Sequence, residues 1–85
     1  MSLTTPAADD LAVDQEVDAR GLNCPLPILK AKKALNGMAS GQLLRVLATD
    51  VHSTPDFQAF ARQTGHGLVA QRTEGPVHVH ILRRR

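Results

Sequence analysis

The sequence predicts an α+β fold: a two-layer α/β sandwich of order β-α-β-α-β-β, with a mixed four-stranded sheet and both helices on one face. Three observations predict it. Val13, Gln15, Val17 and Ala19 alternate with Asp14, Glu16 and Asp18, and "QLLRVLATD" is a mostly apolar, β-rich run. Two segments, opening at "CPLP" and "STPD", switch to helical spacing. The last two extended runs, "LVAQRT" and "VHVHIL", are separated only by "EGP", which reads as a hairpin. Right-handed crossovers then bring both helices to one side and leave the other sheet face open.

The elements follow in order. Residues 1–11 lack periodicity and are expected to be a disordered N-terminal arm, with the domain over residues 12–85. The first strand, from Val13 to Ala19, has an acidic outer face. In the first helix Ile28, Ala31, Leu35 and Met38 form one apolar stripe, with Lys30, Lys32 and Lys33 off it. This helix is expected to end near Asn36–Met38, where Gly37 or Gly41 serves the turn. For the second helix the sequence predicts Thr54 as N-cap, Pro55 as first residue and Asp56 as a first-turn acid at the positive end. Phe57, Phe60, Ala61 and Thr64 share its inner face, and Gly65 ends it.

Eighty-five residues make one small domain whose core is built from Leu, Val, Ile and Ala, since Phe57 and Phe60 are the only aromatic residues other than histidine. One cysteine closes no intrachain disulfide, which points to a reducing compartment. The N-terminus has no signal-peptide pattern and no apolar run approaches spanning length, so a cytoplasmic protein without membrane contact is expected. A net charge of +2 is too small to imply a polyanion partner by itself. The tail Arg83 to Arg85 reads as a solvated, frayed terminus.

The chemistry concentrates at "NCPLPIL". With Cys24 at the N-cap, Pro25 is the first helical residue and Pro27 the third, so the Leu26 amide is the main local donor to the sulfur. The positive helix end favours a thiolate, with Arg20 and Lys30 as further sources of positive potential. Cysteines so placed have pKa values of about 3.5–7.5 against about 8.5 when free, which predicts a partly exposed, nucleophilic thiol. A small buried hydrophobe is the commonest alternative for a free cysteine, but Cys24 lies outside both apolar stripes. A cysteine hydrolase needs a positioned histidine, and none is tied locally to Cys24. A dithiol oxidoreductase needs a second cysteine. The remaining use is to hold a transferable group such as sulfane sulfur.

These residues carry a resemblance. "DARGLNCPLPILKAKKAL" resembles the start of the TusA/SirA-like family of sulfur carriers, marked by a Cys-Pro-x-Pro motif that opens the first helix. Gly21-Leu22 before the motif, Asp50, Asp56 and Gly65-His66 extend the likeness over nearly everything after residue 12. The resemblance implies a β-α-β-α-β-β sandwich and a sulfurtransferase-type carrier. Cys24 would hold sulfur as a persulfide, supported by Gly21, Pro25 and Pro27. The implied donor is a cysteine desulfurase or rhodanese-type protein. The implied acceptor is a downstream protein in tRNA thiolation, molybdenum cofactor assembly or sulfur oxidation. Docking is implied at Lys32 and Asp50. No cofactor and no metal are expected. Many relatives carry a glutamate between the two prolines; here Leu26 removes that charge.

His78 and His80 share one strand face, expected to be the open one, with Val77, Val79 and Ile81 against the helices. Two histidines alone do not complete a zinc site. His66, after Gly65, reads as a C-terminal cap or dipole partner. No phosphate loop and few stacking residues are present, so direct nucleic-acid contact is not expected. The alternative function is a small redox-sensing or nucleic-acid-binding regulatory module.

Overall fold

A computed structural model describes residues 12–85; the N-terminal arm expected over residues 1–11 lies outside them. The elements run β1 (Gln15–Ala19), α1 (Leu26–Asn36), β2 (Leu43–Ala48), α2 (Ser53–Thr64), β3 (Gly67–Glu74) and β4 (Val77–Arg83). The sheet order is β1-β2-β4-β3. β1 and β2 are parallel, and β4 runs antiparallel to both of its neighbours. This is the mixed four-stranded sandwich that the alternating patterns predict.

Alternation decides which residues enter the core. Leu44, Val46 and Ala48 of β2 are wholly buried, as are Ala31 and Leu35 of α1 and Phe57 of α2. The predicted helical stripes therefore meet the sheet as expected. Gly65 closes α2 in the left-handed region (φ 81°), and its N–H donates to the Ala61 carbonyl at 2.9 Å.

β4 is turned over relative to the sequence reading. His80 pairs with Val46 and Leu82 with Leu44, so the histidine face meets the helices. Val79 and Ile81 lie on the far face, beside Leu47 and Arg45. His80 is fully buried, stacked on Phe57 with ring centroids 4.6 Å apart. Its Nε2 lies 3.0 Å from Ser53 Oγ and its Nδ1 3.1 Å from Gln71 Nε2. With both nitrogens partnered, the imidazole behaves as a flat aromatic core residue.

The C-terminal tail is docked rather than frayed. Arg84 Nε donates at 2.9 Å to the Leu35 carbonyl in the last turn of α1, which also accepts from the Met38 N–H. The Arg84 N–H reaches the Gln42 carbonyl, and the Arg84 carbonyl accepts from Gly41. His66 is not a cap: its Nδ1 accepts from the Arg85 N–H at 3.1 Å and its ring packs near Phe60. Burial, then Arg84 and Arg85, push its pKa down, so it is no cationic dipole partner.

Candidate functional site around Cys24

The parallel strands β1 and β2 end side by side and each feeds a helix, so both strand-to-helix loops meet at one edge of the sheet. Gly21 turns the first loop with φ 80°, a conformation that side chains other than glycine's disfavour, and its N–H donates to Thr49 Oγ1 in the second loop at 2.8 Å. Cys24 follows, exposed, just ahead of α1.

The helix start differs from the sequence reading by one residue. Pro25 is the N-cap (φ −99°, ψ 17°) and Leu26 the first helical residue. The Leu26 N–H donates to the Asn23 carbonyl at 2.8 Å, which closes a turn ahead of the helix and takes that amide away from the sulfur. Pro27, the second helical residue, is buried, and its missing N–H leaves nothing unpaired there. The Cys24–Pro25 peptide is cis.

α1 thus starts one residue later than the sequence reading, whereas α2 starts two residues earlier, at Ser53 with His52 as N-cap. Asp50 builds that start. Its carbonyl accepts from Ser53 N–H at 3.0 Å and its carboxylate from His52 N–H at 3.1 Å. The other carboxylate oxygen accepts from the Cys24 N–H at 2.7 Å. The hydrogen bonds from His52 and Cys24 hold the Asp50 carboxyl below its usual pKa. Thr54 and Pro55 thus fall in the first turn, where a proline is tolerated.

Asp56, in the first turn of α2, brings a second carboxylate. The Cys24 sulfur and a carboxylate oxygen from each of Asp50 and Asp56 lie within 4.8 Å of one another, the one such cluster among the described residues. A thiol and two carboxylates are donor types that cations accept, but Asp50 already accepts from Cys24 and His52, so the cluster fits the surroundings of a sulfur atom better than a coordination shell.

The thiol's acidity is opposite to the expectation. The Asp56 carboxylate beside the thiol, then partial desolvation, then the negative charges of Asp56 and Asp50 push the Cys24 pKa up. A helix end offers about half an elementary charge, which two full carboxylate charges outweigh. Arg20 and Lys30 add nothing at the sulfur: Arg20 pairs with Asp18 at 2.9 Å, and Lys30 Nζ donates to the Asp18 carbonyl at 3.1 Å.

A cleft of about 220 Å³ opens beside the sulfur between the helices, lined by Cys24, Ile28, Asp56, Ala59, Phe60 and Gln63. Leu26 and Leu29 of α1 and Val51, between Asp50 and His52, stand exposed around this end. Of the predicted site residues, the fold gathers Gly21, Cys24, Pro25, Pro27 and Asp50, and leaves Lys32 exposed on α1. The sequence reading gave Asp56 only a helix-start role; its place in the family resemblance was the available signal.

Fold and site together define a small single-cysteine α+β domain that presents its thiol at the junction of two helix N-termini. A family model described as "Sulfurtransferase TusA" matches residues 15–84, and the chain belongs to the TusA family. It is 64% identical over 62 residues to the sulfur carrier protein TusA of Allochromatium vinosum, spanning 73% of this chain and 82% of that one. It is 36% identical over 76 residues to the sulfur carrier protein TusA of Pseudomonas entomophila, spanning 89% and 95%. The crystal structure of a SirA-like protein from Desulfitobacterium hafniense matches with a TM-score of 0.72 at 27% identity, over 81% of this chain and 95% of that one.

Proposed function

We propose that this protein is a sulfur carrier in which Cys24 accepts sulfane sulfur as a persulfide and relays it to an acceptor. The observation that carries this reading is the exposed, solitary thiol held at the α1–α2 junction of a TusA-family chain. A second cysteine would attack the persulfide and close a disulfide; this chain has none. The same feature turns the reading away from a dithiol redox sensor. The scarcity of stacking residues turns it away from a nucleic-acid module.

The chemistry is thiol exchange. The Cys24 sulfur attacks the outer sulfur of a donor persulfide, and the donor's S–S bond breaks with its electron pair leaving on the donor cysteine. Reversal against an acceptor thiol, or attack by another nucleophile, unloads the carrier. Gly21, Pro25 and Pro27 shape the loop, and Asp50 holds the Cys24 amide. A cysteine desulfurase or rhodanese-type protein is the donor class that fits, with a downstream sulfur acceptor in tRNA thiolation, molybdenum cofactor assembly or sulfur oxidation. Lys32 and the exposed Leu26, Leu29 and Val51 are the surface offered for docking, with the rim of Asp50 beside them. No helix among the described residues is long and apolar enough to cross a membrane. The cytoplasm is the compartment we propose for the relay, since a free thiol carrier suits a reducing environment.

Intact mass after incubation with a cysteine desulfurase and cysteine tests this. A gain of one sulfur atom, removed by reductant and absent in Cys24→Ser, is expected. A wild-type chain that stays unmodified with desulfurase and rhodanese donors alike would overturn it.

A further inference from the structure

We propose that Asp56 is the proton acceptor of Cys24 during sulfur uptake, a catalytic residue of the carrier itself. The inference rests on the carrier reading above. Its basis is position. Asp56 projects from the first turn of α2 into the cleft that the Cys24 sulfur borders, with its carboxylate in the 4.8 Å cluster. The other acid there is committed: Asp50 accepts from the amides of Cys24 and His52, and His52 Nδ1 lies 3.2 Å away. Asp56 has no protein N–H among the described residues donating to its carboxylate, so that carboxylate is available to the thiol.

At rest the thiol keeps its proton, because the groups facing it are anionic. Asp56 comes from α2 and Asp50 from the loop before it, where the His52 imidazole lies 3.2 Å from the Asp50 carboxylate; α1 turns Lys30 away to Asp18. Uptake must therefore remove a proton as the new bond forms. The Cys24 sulfur bonds to the donor's outer sulfur, and the Cys24 proton passes to an Asp56 carboxylate oxygen. The donor's S–S bond breaks, its electron pair stays on the donor cysteine, and Asp56 returns the proton to that departing thiolate. One thiol and one persulfide enter, one of each leaves, and no oxidant or reductant is consumed. The forming S–S bond makes the S–H proton progressively more acidic, which lets the neighbouring Asp56 carboxylate accept it as general base.

Two rates measured on Asp56→Asn test this, because they should move in opposite directions. Alkylation of Cys24 by neutral iodoacetamide at pH 7 reports the resting thiolate fraction. It is expected to rise several-fold once the Asp56 charge is gone. Sulfur uptake from the persulfide of N-acetylcysteine methyl ester, a small donor with no docking surface, is expected to slow at least about tenfold. Asp56→Glu, which keeps the carboxylate, should take up sulfur faster than Asp56→Asn. Uptake by Asp56→Asn at the wild-type rate, or a fall in both rates as from simple structural damage, would overturn the role of Asp56 and leave the carrier reading standing. A wild-type protein that takes no sulfur from this donor or from the desulfurase would overturn both.

Discussion

The backbone N–H of Cys24 donates to Asp50 Oδ2 at 2.7 Å, so the loop leading into α1 is held by the loop leading into α2. One carboxylate thereby fixes two loops far apart in sequence, through the Cys24 and His52 amides.

Asp50→Ala removes the acceptor for both amides, and a lower Tm is expected at neutral pH. The folded carboxyl titrates below its unfolded value. Its contribution is therefore complete above the unfolded pKa of about 4 and disappears as pH falls through the lower folded pKa. Thermal unfolding of both proteins from pH 7 downward should show the Tm gap narrowing in acid.

His80 gives stability a second pH dependence. Burial, then the nearby His78, push its pKa down to about 4. Below about 6.5 the unfolded chain takes up a proton there that the folded chain refuses until about pH 4, so folding weakens as pH falls through that window. The expected loss is about 2–3 kcal/mol. His80→Ala should cost about 2–4 kcal/mol at pH 7 through the lost Phe57 stacking and the unpartnered Ser53 hydroxyl. It should also flatten the slope between pH 6.5 and 4. Denaturant midpoints at several pH values check both.

Arg84→Ala removes the donor to the Leu35 carbonyl and frees the tail from the end of α1. A loss of about 1 kcal/mol is expected. Hydrogen exchange should rise at Gly41 and Arg84 itself, whose main chains pair through this segment.

Gly21→Ala forces a side chain into the positive-φ turn between β1 and Cys24. A Cβ there has no neighbour within 4 Å, so the cost is backbone strain alone, about 1–2 kcal/mol. Because Gly21 also ties the loop to Thr49, the variant should show altered amide shifts at Cys24 as well as a lower Tm.

The fold was legible because its signals are local. Alternation marks β1, the spacing of Ile28, Ala31 and Leu35 marks α1, and Gly65 ends α2 where a left-handed residue is needed. The misreadings were all non-local. His80 looks polar until Phe57 and Ser53 are seen beside it. Both helix starts were displaced by turns closed through Asn23 and Asp50. The thiol's acidity was inverted because the motif displays the helix end beside Cys24, whereas Asp50 and Asp56 reach the sulfur only after a strand has intervened. The tail read as frayed because "RRR" does not reveal that Arg84 lies over the end of α1.

The most direct test of the central claim is peptide mass mapping of the protein after brief reaction with a cysteine desulfurase, followed by addition of a thiol acceptor. One extra sulfur atom should appear on the peptide that contains Cys24, nowhere else, and leave with the acceptor. Sulfur found on no peptide, or equally on Cys24→Ser, would contradict the account.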